Sequence, residues 1–421
     1  MASSDIALLL RRPGFGRYYA VVAAARASGS MFSVAGVLLV LQRTGSLTLA
    51  GLVAAAATLP GAVTGPLLGA WLDVAHSRRR LLVFDRLLTV VAIAALIVLA
   101  GHAPDWVLPF VGLAYGITSP LASGGFASVL PEVAGPGLLD VANTLEATSV
   151  NIAFIVGPAL AGLVAGLAGP AAALELQIAV GIVLAVLIAT DATFELRPAR
   201  SSASPAGLRS AMSDGLRSLW RIALLRWNAL TGMIYVAAWG TLTVGFPAYA
   251  LSVGAGAHAS GYLWAAISCG SLVSAFIFRT PALRLAPRVL VSVSFFAMAV
   301  SVSAWPLADG LLAALALVTL TGLLEGPSLV ALMGVRQRLA PAHHRGQILS
   351  TLASLNLAAG ALGTAAAGPL HAALGTAATL AAFGVLMAIA GVVALGTGGS
   401  RPGLRAADLG PSPLLPGQQA D

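Results

Sequence analysis

Residues 69–80 read GAWLDVAHSRRR. An aspartate and three consecutive arginines stand here between two apolar runs, 47–72 on one side and 81–101 on the other. Each run has the roughly 20 residues that a helix needs to cross the bilayer core. Charge packed into so short a link is what two consecutive membrane crossings require, because it holds the link at the water interface.

The rest of the chain agrees with this reading. Over 421 residues, 58% are hydrophobic and only 9% charged, and the mean hydropathy is +0.92. Soluble domains carry about 25% charged residues, so the composition is that of an integral membrane protein. The formal net charge of +8 rests on arginine, since the chain has no lysine. On a soluble protein this would point to nucleic acid, but here the arginines lie between apolar runs and no nucleic-acid partner is expected. A single cysteine, Cys269, excludes an intramolecular disulfide.

Apolar stretches long enough to cross run near 18–41, 47–72, 81–101, 106–130, 142–168, 171–192, 224–251, 258–279, 288–307, 310–333, 347–371 and 374–396. They predict an all-α integral membrane protein with twelve transmembrane helices. Arginine resists translocation, and its distribution is one-sided. Arg11, Arg12 and Arg17 precede span one, Arg78, Arg79 and Arg80 follow span two, and Arg197 to Arg221 fill the segment after span six. Arg279 to Arg288, Arg336 to Arg345, and the tail arginines continue the pattern, whereas the opposite side offers only Arg43. The loop 131–140 carries no arginine and gives the rule no support. Both termini are therefore expected in the cytoplasm, with the protein multi-pass in the cell inner (plasma) membrane. The stretch RRPGFGRYYAVVAAARA also resembles a signal ending in Ala-Arg-Ala, but cleavage there would leave eleven spans and put the arginine-rich loops on inconsistent sides.

The one long polar interruption, between Asp191 and Arg226, divides the spans six to six. The expected organisation is a cytoplasmic segment 1–16, a six-helix bundle 17–192, a central loop 193–223 with an amphipathic helix, a second bundle 224–396 and a disordered tail 397–421. The halves are similar at a shift of about 210 residues, the signature of an internal repeat. Gly51 then faces Gly261, Arg17 faces Arg226, and Gly157-Pro158 faces Gly368-Pro369.

Twelve spans, a basic central loop and six-plus-six repetition resemble the major facilitator superfamily, whose halves rock about a midplane site. The superfamily's loop between helices two and three carries Gly, Asp four residues on, a basic residue, a Gly and a basic pair. Gly69, Asp73 and Arg78, Arg79 and Arg80 match this pattern, with Val74, His76 and Ser77 departing from it. Within the superfamily, ARASGSMFSVAG at 25–36, RTGSLTLAG at 43–51, SVLP at 128–131 and GPALAG at 157–162 are similar to the bacterial enterobactin-exporter and macrolide-efflux type. The resemblance implies two pseudo-symmetric six-helix bundles. It also implies a gating loop in which Asp73 approaches the start of helix eleven, where free N–H groups and the helix dipole favour an anion. Enforcing orientation, or binding lipid headgroups, is the plainer role for Arg78 to Arg80, which can also pair with acids such as Glu132 and Asp140.

Helices one, four, seven and ten line the cavity in this superfamily, which directs attention to their polar residues. Arg26 lies nine residues past Arg17, about 13 Å along span one, a depth at which a charge faces a cavity or a partner unless it snorkels back to the interface. Glu325 breaks the run LALVTLTGLLEGPSLVALMG in span ten. Glu146, one turn into span five, either joins these two or serves its helix N-terminus as an exposed carboxylate. Tyr115, Tyr235 and Trp239 are the aromatic candidates, equally readable as core. Gly157, Pro158 and Gly162 resemble an antiporter signature in helix five, for which dense packing near a hinge is sufficient explanation.

No phosphate loop, metal-ligand cluster or serine–histidine pair is present in the sequence, so neither a cofactor nor an enzymatic activity is expected. The expectation is a monomeric secondary transporter whose partners are a small-molecule substrate, membrane lipids and protons. Efflux of an amphiphilic drug, siderophore or secondary metabolite by alternating access suits the sparse polar lining. A uniporter or importer of a small solute, and a membrane sensor without flux, are the alternatives.

Overall fold

A computed structural model describes residues 3–74, 77–121, 125–135, 137–195, 220, 223–277, 286–339 and 345–396. Among these the chain is helical and antiparallel from one crossing to the next. A short helix α1 (Ser3–Leu10) leads into α2 (Phe15–Thr44), α3 (Leu47–Val74) and α4 (Arg78–Leu99). Gly45 ends α2 in the left-handed conformation, φ 67°, with its N–H bonded to the Leu41 carbonyl, the usual way a glycine stops a helix. One residue on, the Ser46 hydroxyl accepts the N–H of Leu49 at 3.1 Å and starts α3. Ser77 caps α4 in the same way, accepting from Arg80.

The fourth crossing departs from a regular α-helix after Gly116. The sequence predicts one helix over 106–130; the structure has α5 (Leu108–Gly116) and α6 (Phe126–Ala134), with a turn at 117–118 and helical residues 119–121 and 125 between them, and 122–124 lie outside the described residues. Pro120 has no N–H to offer the helix ladder, and Leu121 donates instead to the Thr118 carbonyl at 2.8 Å, a tighter turn. After it come α7 (Leu139–Ala168) and α8 (Pro170–Thr190), the latter opened by a proline at its first position.

The second half repeats the plan with α9 (Ala223–Ser252), α10 (Ser260–Ile277), α11 (Pro287–Ser303), α12 (Leu311–Leu339) and α13 (Arg345–Leu395). The last is two crossings joined at Gly375, whose φ of 79° and ψ of −175° break the helix. Counting α13 twice and α5 with α6 once, the described helices make the twelve expected crossings. The expected amphipathic helix in 193–223 and the tail 397–421 lie outside the described residues, apart from the turn 192–195 and residue 220.

Within each half, α2 packs on α7 and α8, and α9 packs on α13. The two most extensive contacts between the halves are α3 with α13 and α7 with α10. Both are made of backbones in touch. A Cβ on Gly51 would stand 3.0 Å from the Thr364 carbonyl oxygen, and one on Gly162 would stand 2.7 Å from the carbonyl oxygen of His258. Gly51 lies at the start of α3 and His258 just before α10, so these approaches gather at the end opposite the arginine-rich one. The core is mostly apolar, with Trp227, Trp305, Phe246 and Phe295 enclosed in the second half.

Candidate functional site

Arg26 in α2 finds its partners inside its own half. The guanidinium forms an ion pair with Glu146 of α7, and a second nitrogen donates to the Ser149 hydroxyl at 2.5 Å and the Glu146 carbonyl at 3.1 Å. Both side chains of the pair are about five-sixths enclosed, 17% and 15% exposed. Glu146 therefore joins Arg26 and is not the exposed carboxylate that one reading of the sequence allowed. This contact is possible because the helices are close. Ser30, one turn further along α2, donates to the Ala153 carbonyl at 2.6 Å, and a Cβ on Gly157 would run into Ser30 and the Ala27 carbonyl. Pro158 and Gly162 continue along α7 to the other half, where both lie against Gly261.

Glu325 in α12 occupies a different setting. It is 5% exposed and accepts a hydrogen bond from the Tyr235 hydroxyl of α9 and another from Ser271 of α10. Among the described residues no ion pair involves it, so Arg26 serves Glu146 and not Glu325. Three helices of the second half thus converge on one carboxyl through neutral hydroxyls.

Beside Glu325 stands a wall of rings. Tyr235 stacks on Phe295 with centroids 5.3 Å apart and meets Trp239 edge-on at 6.1 Å. Trp239 stacks in turn on Trp264 at 5.7 Å. Trp264 packs against the apolar cores of both halves, so this wall reaches the plane where the bundles meet. The indole N–H of Trp239 has no hydrogen-bond partner. Across the molecule Tyr115 of α5 stacks on Phe32, with centroids 3.8 Å apart, and its hydroxyl lies 3.5 Å from both the Gly29 carbonyl and the Gln177 amide.

One buried charged pair escaped the sequence reading. Asp85 and Arg86 are sequence neighbours in α4, 1% and 7% exposed, and Asp85 Oδ2 accepts Arg86 Nε at 2.8 Å together with a second guanidinium nitrogen. Its other oxygen, Oδ1, has no partner. The signal was available, since two adjacent charges five residues into an apolar run are the kind of intramembrane ionisable group that carries function.

The link between α3 and α4 is partly described. Gly69 and Asp73 fall in the last turns of α3, and the Asp73 side chain lies outside the described residues. Arg78 is 6% exposed and pairs with Glu132 at 3.1 Å while donating to the Ser128 carbonyl at 3.3 Å. Arg79 meets Glu195 at 3.3 Å, and Arg80 is exposed. Two of the three arginines thus tie α4 to α6 and to the turn after α8, beyond setting orientation.

The comparisons with known proteins follow this geometry. The family profile of the Major Facilitator Superfamily matches residues 19–309. The chain is 30% identical over 416 residues to the multidrug efflux pump Tap of Mycobacterium tuberculosis, covering 95% of this chain and 96% of that one. It is also 30% identical over 376 residues, 86% and 89% of the two chains, to an uncharacterized MFS-type transporter of Sinorhizobium fredii. Among solved structures it is similar to a bacterial homologue of the human lysosomal transporter Spinster in an inward-facing, unoccupied conformation. That likeness has a TM-score of 0.72 at 14% identity, over 94% of this chain and 98% of the other. With two six-helix halves meeting through paired glycines, the chain belongs to the Major Facilitator Superfamily and is a secondary transporter of small molecules.

Proposed function

We propose that this transporter exports small amphiphilic molecules across the plasma membrane in exchange for protons, as a monomer with both termini in the cytoplasm. The observation that carries the reading is the contrast between its two cavity-side carboxyls. Glu146 is neutralised by Arg26, whereas Glu325 has hydroxyl partners and, among the described residues, no cation. Proton coupling needs a carboxyl that takes up a proton on one side and releases it on the other, and a guanidinium in contact competes with the proton for that place. Among the described residues Glu325 meets no such competition.

Export of amphiphiles is supported by the aromatic wall beside Glu325 and by the relatives named multidrug efflux pumps. From Arg226 to His258 the chain carries no charged side chain, a lining suited to an apolar cargo with few polar groups. Asp73 is assigned the gating role, meeting the arginine-rich end of the second half only when that end is closed. Asp73→Asn then impairs transport more than it lowers the amount of folded protein, because a bond made in one conformation biases the equilibrium between two.

The test uses purified protein and a panel of amphiphilic dyes. The dye that most raises the melting midpoint is carried into reconstituted vesicles with an imposed pH gradient. Wild-type protein accelerates dye flux with the gradient, while Glu325→Gln keeps dye exchange and loses the acceleration. A gradient-independent flux in the wild type would favour a uniporter, and binding without flux a sensor. Full gradient-driven flux by Glu325→Gln would remove this carboxyl from the mechanism, and the same result with Glu146→Gln would leave proton coupling without a residue.

A further inference from the structure

Between α2 and α8 the surface opens into a groove of about 590 Å³. Ala20, Val21 and Ala24 form one wall and Val180, Val183 and Leu187 the other, with Arg17 and Asp191 at the mouth. Its polar atoms gather at that mouth. The alanines leave room where larger side chains would fill the seam, and Val183 and Leu187 are 56% and 45% exposed along it. Arg17 to Ala24 is about 10 Å of helix and Asp191 back to Ala179 about 18 Å. The hydrocarbon of one leaflet is roughly 15 Å deep, half of about 30 Å, so the groove runs one leaflet deep from the arginine-rich end.

Arg17 is placed to hold a headgroup. Its side chain is 79% exposed, and its nearest acid, Asp191, is 3.8 Å away. Only Asp191 Oδ2 faces it, at one guanidinium nitrogen, because Oδ1 accepts the Thr193 N–H at 2.9 Å and the Thr193 hydroxyl at 2.6 Å. The guanidinium therefore keeps donors in the fork geometry that matches a phosphate. A second copy of the chain is a poor fit, since a helix about 10 Å wide would have to enter a seam between two helices already packed together.

We propose that this groove binds one anionic phospholipid, with an acyl chain along Ala20 and Ala24 and the phosphate on Arg17. The site would tie the position of the first bundle to the charge of the leaflet at the arginine-rich end.

Native mass spectrometry of the full chain, stripped of lipid in detergent, tests this with phosphatidylglycerol, phosphatidylcholine of the same chains and inorganic phosphate as probes. Wild type retains one phosphatidylglycerol in preference to phosphatidylcholine. Arg17→Gln weakens that retention about fivefold, the worth of one arginine near an anionic headgroup, and Ala20→Phe blocks both lipids. Melting midpoints check that each variant is folded, and Arg17→Gln alters an exposed side chain, so the test survives if Ala20→Phe does not fold. Equal retention of both lipids by the wild type, or wild-type retention by Arg17→Gln, overturns the proposal. So does displacement of the lipid by inorganic phosphate, which would reduce Arg17 to a bare anion site, or a dimer peak that disappears in Ala20→Phe.

Discussion

Gly261 of α10 and Gly162 of α7 touch through their backbones: a Cβ on Gly261 would stand 2.8 Å from the Cα of Gly162. The other extensive contact between the halves has the same construction, with Gly51 of α3 against Thr364 and Gly368 of α13. Gly51 and Gly261 are equivalent positions of the two halves, as are Gly157-Pro158 and Gly368-Pro369. One duplicated device thus supplies both seams, and backbone contact is what a seam must have if it is to close fully at one end of the molecule.

Gly261→Ala tests this directly. Overpacking of this kind costs roughly 1–3 kcal/mol in a tight core, and here it falls on the closed state of one end. The expected result is about a tenfold shift, at 1.4 kcal/mol per decade, away from the conformation closed at that end, read by spin-label distances across the seam. Transport slows in parallel while folded protein is retained. An unchanged distance distribution would mean that the bundles rock without needing this approach.

Arg26 and Glu146 act as a unit. Removing one partner of a largely enclosed pair leaves an uncompensated charge, at a cost of about 3–5 kcal/mol when burial is complete, and somewhat less here. Arg26→Gln and Glu146→Gln are each expected to lower the melting midpoint more than the double variant does. A double variant as unstable as the two singles added together would show that the groups do not interact.

Tyr235→Phe deletes the hydroxyl that Glu325 accepts. If that bond is part of coupling, its effect on gradient-driven flux depends on Glu325 being present. In a cycle of Tyr235→Phe, Glu325→Gln and the double variant, flux changes are expected to be non-additive by about 1–3 kcal/mol, the worth of a hydrogen bond to a charged group. Additive changes would make Tyr235 a wall residue only.

Asp191, at the end of α8, gives a pH dependence. Burial pushes its carboxyl up, but the bonds from Thr193 and the charge of Arg17 outweigh this and hold it below its usual value of 3.8. A carboxyl lowered by folding contributes stability that is present above the unfolded value and lost as pH falls through the folded one. The wild-type melting midpoint should therefore fall more steeply below about pH 4 than that of Asp191→Asn, with the two curves running parallel above pH 5. Parallel curves throughout would show that Asp191 contributes nothing pH-dependent to the fold.

Much of the architecture was legible because the bilayer leaves few solutions. A helix must satisfy its own backbone where no water can, so crossings are visible as apolar length, and arginine marks their ends. The turn at 117–118 in the fourth crossing was less legible, though Pro120 stood beside it. How a helix adjusts its hydrogen bonds around a missing N–H depends on packing that the local sequence does not contain. The site was legible by residue and not by pairing. Arg26, Glu146 and Glu325 were each visible as charges in apolar surroundings, yet the sequence treated them as one group. Asp85 and Arg86 carried the same signal and were passed over.

What the sequence by itself determined was the number of crossings, the one-sidedness of arginine and the repetition of the halves, all of which follow from hydropathy and charge along the chain. Tertiary structure alone decided that Arg26 belongs to Glu146, that Glu325 is held by Tyr235 and Ser271, and that Arg78 meets Glu132. Such pairings join residues roughly 50 to 120 positions apart. They are set by which helix faces approach within a few ångströms, and that is governed by small-residue contacts such as Gly157 against Ser30, which no property of the charged residues themselves encodes.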